Sequence, residues 1–102
     1  MEQVVTEAVG EMARHREHDV AVAVITPVGI FPDDEDFRRI PKTEVISEVL
    51  AEAAKELKLT NTSDWVASVE GREIDVHRTF REEHLAGIVE IEWHKHEGGG
   101  GA

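Results

Sequence analysis

Residues 43–57 read TEVISEVLAEAAKEL. Ile46, Val49, Leu50, Ala53 and Leu57 recur at three- and four-residue spacing, while Glu48, Glu52, Lys55 and Glu56 fill the opposite side. That period describes an amphipathic helix with one apolar stripe. Thr43 is the expected N-cap, and Glu44 comes next in the first turn, where the helix dipole favours an anion. Residues 59–63 end the pattern. Such a stripe needs an apolar surface to lie on, and the flanking sequence offers strands.

Upstream, residues 19–26 read DVAVAVIT, with Val20, Val22 and Val24 at period two. β-branched residues in that alternation predict a strand. Pro27, Val28 and Gly29 break it, with glycine as the permissive residue of a turn. Ile30 and Phe31 start a returning strand. The acidic stretch Asp33-Asp34-Glu35-Asp36 interrupts it, and residues 37–40 resume it. That acidic stretch lacks the spacing and central glycine of a calcium loop and reads as solvated charge.

Downstream, Trp65, Ala67 and Val69 alternate with Val66 and Ser68, which predicts another strand. Glu70-Gly71-Arg72 reads as a turn, and Glu73 and Ile74 as a very short strand. Residues 75–84 are polar except for Val76 and Phe80, the latter the expected apolar anchor. Gly87 opens a final strand in which Val89, Ile91 and Trp93 face one way and Glu90, Glu92 and His94 the other. Trp65 and Trp93 belong on the apolar faces of their strands. Strands interrupted by one helix predict an α+β domain, a mixed sheet of four to five strands packed on one main helix.

The chain has 102 residues, one domain's worth. Residues 1–18 are polar and read as a flexible arm, 19–96 as the folded unit and 97–102 as a flexible tail. Cysteine is absent, which excludes disulfides, thiolate metal sites and a thiol nucleophile from this chain. No apolar run approaches the roughly 20 residues of a membrane helix, and residues 1–18 hold no apolar stretch like a signal peptide. A cytoplasmic location is expected. Eleven Lys plus Arg against 22 Asp plus Glu give a net charge of -11. Nucleic acid and anionic membrane are disfavoured as partners, and basic protein surfaces are favoured. Ser47, Ser63 and Ser68 have no nucleophile-elbow pattern, so no hydrolytic triad is expected.

The final strand runs into Gly98, Gly99, Gly100, Gly101 and Ala102. A glycine run packs against nothing and loses much entropy if ordered. It is thin enough to thread a narrow tunnel into another protein's active site, and its end offers an unhindered carboxylate. Together with DVAVAVIT, TEVISEVLAEAAKEL, WVASVEGREI and GIVEIEWHKHEGGGG, this tail makes residues 19–101 resemble the ubiquitin-like modifiers of β-grasp fold. Within them the likeness is to the ubiquitin-like proteins encoded in bacterial conjugation operons.

The resemblance implies a function. An activating enzyme using ATP would adenylate the terminal glycine carboxylate, and a conjugating enzyme would join it to target proteins. The chain itself would not be an enzyme and would need no cofactor. Ala102 stands after Gly101, so a processing and deconjugating metallopeptidase is implied, cutting between Gly101 and Ala102. Lys95, with His94 and His96, stands just before the tail and is the implied contact for the activating enzyme. Antiviral defence is suggested only by the likeness to operon members. Ubiquitin also carries an apolar patch on the outer face of its sheet. Here the outward positions Val66, Ser68, Glu90, Glu92 and His94 predict that this patch is largely absent.

Two other functions fit the same fold. A sulfur carrier would bear a C-terminal thiocarboxylate, and its relatives usually end at the second glycine. A non-covalent interaction module would leave the tail inert. His94 and His96 fall on one strand face, but no third ligand stands at a fixed spacing, so no metal site is expected. A monomer is the default for so acidic a small domain.

Overall fold

A computed structural model describes residues 18–96. The expectations for residues 1–17 and 97–102, the arm and the glycine tail, lie outside the described residues. The described part is α+β: a mixed six-stranded sheet and one helix. The strands are β1 (Asp19–Thr26), β2 (Gly29–Phe31), β3 (Arg38–Pro41), β4 (Trp65–Val69), β5 (Arg72–Glu73) and β6 (Gly87–Lys95), and helix α1 spans Ile46–Leu57. The sheet order is β2-β1-β6-β4-β5, with β3 also paired to β1.

The first and last strands lie side by side at the centre. β1 and β6 are parallel, with Val22 opposite Val89 and Val24 opposite Ile91. All four side chains are buried. Strands buried this way read as runs of β-branched residues, which is what β1 offers. The other ladders are antiparallel. Ile46, Val49, Leu50 and Ala53 of α1 join Val20, Val22, Val24, Ala67, Val89, Ile91 and Trp93 in one core. Trp65 and Trp93 meet edge to face with ring centroids 5.2 Å apart, a favoured aromatic geometry. Trp93 is buried and Trp65 half-buried.

The sheet has six strands rather than four to five. The third begins only at Arg38, because the 32–37 loop displaces Phe37 from the ladder and leaves it exposed. β2 and β3 then share the same edge of β1, its second half against β2 and its first half against β3.

Three local readings are corrected. Thr43 is not the N-cap. The helix starts at Ile46, Val45 holds the cap position, and no side chain caps it. The free N–H groups of the first turn instead donate to carbonyls of the 76–78 segment, Ile46 to Arg78 at 2.9 Å and Ser47 to Val76 at 2.8 Å. The cap is tertiary, so no local pattern announces it. Gly29 does not need positive φ. It opens β2, and a Cβ there would come within 3.2 Å of Leu57 Cδ2, a contact the Leu57 side chain would ease by a few tenths of an ångström. The short strand is Arg72–Glu73 rather than Glu73 and Ile74. Glu70 and Gly71 both take positive φ (51° and 80°) in the two-residue turn that joins it to β4, the pairing that suits a tight hairpin.

The polar 75–86 segment is tied down by Phe80, fully buried, and by Glu83, buried yet charged. Glu83 Oε1 accepts the Asp75 N–H at 3.3 Å. Arg72 and Arg78 reach its two carboxylate oxygens at 3.6 Å. A buried carboxylate persists when paired and hydrogen-bonded in this way.

Helix α1 closes at Lys58, whose φ of 57° lies in the left-handed region. A Cβ is strained there, and glycine is not. Lys58→Gly is expected to raise stability by about 0.5–1 kcal/mol in urea unfolding. A loss of that size would contradict the reading.

Candidate functional site

The root of the tail is built by the end of β6. β1 pairing stops where Ile25 faces Glu92, while β4 continues, with Val66 opposite His94 and Trp65 opposite Lys95. Trp93 is buried, His94 half-buried, and Lys95 and His96 exposed. The His94 Nδ1–H donates to the Lys95 carbonyl oxygen at 2.9 Å. The structure therefore gathers Lys95, His94 and His96 at one rim of the sheet. Gly98, Gly99, Gly100, Gly101 and Ala102 lie outside the described residues. Among the described residues no three histidine or carboxylate side chains converge to hold a metal ion, and no helix is long and apolar enough to cross a membrane.

The outer face of the sheet, away from α1, corrects one expectation. Val66, Ser68, Glu90, Glu92 and His94 do point there. The parallel ladder adds β1 and β2 to the same face. One row runs Ile30, Ile25, Glu92, Ser68, Glu73 across five strands. A second pairs Ala21 with Ile88, which is 68% exposed. The face therefore carries Ile25 and Ile30 on β1 and β2, Ile88 with Glu90 and Glu92 on β6, and Glu73 on β5, with Arg39 of β3 on the far side of Ala21. Reading each strand alone hides this, because alternation tells which residues share a face but not which strand lies beside which.

A groove of about 440 Å³ opens on the other side of β4, lined by Trp65, Val66, Ala67, Ile74 and Val76 with Glu73, Asp75 and His77 also on its wall. Nothing in the sequence announces it. It exists because the chain hydrogen-bonds to β4 as far as Ile74 N–H to Ala67 C=O, at 3.0 Å, and then turns toward the helix N-terminus.

The acidic loop holds a local carboxyl pair. Asp36 N–H donates to the Asp33 carbonyl at 3.5 Å and Glu35 N–H to Asp33 Oδ1 at 3.4 Å. The neighbouring Asp34 carboxyl first, then the Glu35 N–H, holds the Asp33 carboxyl below its ordinary range. The Asp33 carboxyl beside it, by its acceptor oxygens and then its charge, pushes Asp34 up.

No protein-family model matches the chain, and no curated protein matches it. The fold and the tail root are what bear on function.

The Asp33–Asp34 pair sets a pH prediction. Asp34 titrates at higher pH than Asp33 in carboxyl-detected NMR. Stability from the raised Asp34 is lost as pH rises through its value, and stability from the lowered Asp33 is lost as pH falls through its own. The two contributions oppose each other. Coincident midpoints would contradict the coupling between the two carboxyls.

Proposed function

We propose that the chain is a β-grasp modifier of the ubiquitin-like kind, joined through its C-terminal glycine to other proteins in the cytoplasm. The β-grasp assignment is supported by the parallel contact of first and last strands at the sheet centre. The β1–β2 hairpin on one flank and the single helix between β3 and β4 support it as well. Fold alone does not give function. The observation that carries the reading is that β6, held in the sheet by Trp93, delivers the chain to the rim at His96. The sequence there continues Glu97-Gly98-Gly99-Gly100-Gly101-Ala102.

A thin carboxylate terminus determines the chemistry. A peptidase hydrolyses the Gly101–Ala102 bond and releases alanine. The exposed carboxylate attacks the α-phosphorus of ATP on an activating enzyme, and pyrophosphate leaves. A nucleophile of that enzyme takes the acyl group and AMP leaves. The acyl group passes to a conjugating enzyme and then to a target amine or hydroxyl, giving an amide or an ester. Each transfer replaces one hard step by easier ones. This chain supplies the acyl group and a recognition surface, and the partners supply catalysis. Lys95, the exposed cation at the tail root, contacts the activating enzyme.

The test is a tagged chain ending at Glu97, expressed in the native host. It is expected to keep the amide spectrum and melting temperature of the full chain while all covalent adducts disappear. Adducts that persist would overturn the reading. A full-length terminus carrying sulfur in place of one oxygen would instead establish the sulfur carrier.

A further inference from the structure

We propose that the edge of β4 left open beside Val66, between the Trp65 C=O and the Ala67 N–H, receives an extended, basic and apolar segment of a partner protein, which adds to the sheet as a further short strand. This goes beyond the modifier reading and stands without it.

The hydrogen bond between Ile74 N–H and Ala67 C=O fixes the side to which Ala67 presents its backbone groups, away from β6. Backbone direction alternates along a strand, so Trp65 presents its own to the same edge. Beyond Ile74 the chain bonds elsewhere. Asp75 N–H goes to Glu83, and the Val76 carbonyl accepts from Ser47. The Trp65 N–H is taken locally by the Thr62 carbonyl at 3.0 Å. The Trp65 C=O and the Ala67 N–H therefore face the groove, spaced to bond an extended chain laid beside Val66. An exposed strand edge is a template for such pairing, with backbone bonds giving affinity and side-chain pockets giving selectivity.

The groove sets the chemistry of that segment. Its floor is apolar: Trp65, Ala67, Ile74 and Val76. Its rim carries the exposed carboxylates of Glu73 and Asp75, and Asp64 stands exposed one residue before Trp65. Arg78 reaches Asp75 only at 3.9 Å. An alternating segment would place apolar side chains on the floor and Lys or Arg against the rim. A second copy of this chain fits badly. Pairing two β4 edges would bring like rim carboxylates together between chains of net charge -11 each. A partner bound here would lie two strands from β6, about 10 Å from the tail root.

The full chain, labelled with ¹⁵N, is titrated with a capped octapeptide of alternating Lys and Val, and separately with one of alternating Glu and Val. The Lys–Val peptide is expected to shift the amides of residues 65–67 and 73–77 and the Trp65 indole, saturably, while the Glu–Val peptide does not. Ala67→Pro removes the N–H that faces the groove and should abolish binding; because Ala67 is buried in the core, the loss is read only with the dispersed amide spectrum of the folded chain retained, and Glu73→Lys supplies the test that spares the core. Glu73→Lys leaves the backbone intact and should weaken it about threefold to tenfold. Equal binding of both peptides would overturn the proposal. So would shifts confined to Ile25, Ile30 and Ile88 on the outer face, self-association through β4 in place of peptide binding, or no shift at millimolar peptide.

Discussion

The parallel contact between β1 and β6 is the constraint on which the rest depends. It joins the two ends of the folded unit, so the loop-closure cost of everything between must be met before that contact forms. The return comes from burial of Val20, Val22, Val24, Val89 and Ile91 in one layer. At roughly 25 cal/mol per Å² of apolar surface, removing such side chains from water contributes about 1.5–3 kcal/mol each. With this pair in place, β1 offers its free edge to β2 and β3, and β6 offers its own to β4. The helix covers the valine face. The outer face is left to solvent, and with it the mixture of Ile25, Ile30 and Ile88 with three glutamates.

The same arrangement explains how the tail root is presented. β6 outruns its pairing with β1 by Trp93, His94 and Lys95, which pair with β4 alone. Trp93 remains in the core against Trp65, so the strand is anchored close to its end. The chain therefore leaves the sheet at a fixed point rather than from a loose loop. For the modifier proposed here, a fixed exit matters. An enzyme that binds the folded face meets the chain at a defined point, His96.

Much of this was legible in the sequence, because periodicity is a local property. The valine alternation of β1, the stripe of α1, and the alternation of β4 and β6 place those elements as the structure has them. The rest was hidden where a neighbour distant in sequence decides the outcome. Thr43 looks like a cap, yet the carbonyls of Val76 and Arg78 take that role. Gly29 looks like a turn glycine, yet it opens β2, with the end of the Leu57 side chain close beside it. The outer face looks acidic from Glu90 and Glu92, and it gains Ile25 and Ile30 only once β1 and β2 lie beside β6, whereas Ile88 stood on the same face of β6 itself. The groove beside β4 is a gap between two segments, and no residue type spells out a gap.

The central claim is that the terminal glycine carries a covalent bond to other proteins. It is tested most directly by intact and peptide mass spectrometry of the N-terminally tagged chain purified from its native host. The expected result is a fraction ending at a glycine, and heavier species in which that glycine is joined to an amine or hydroxyl of a second protein. A population that all retains Ala102, with no adduct at any mass, would contradict it.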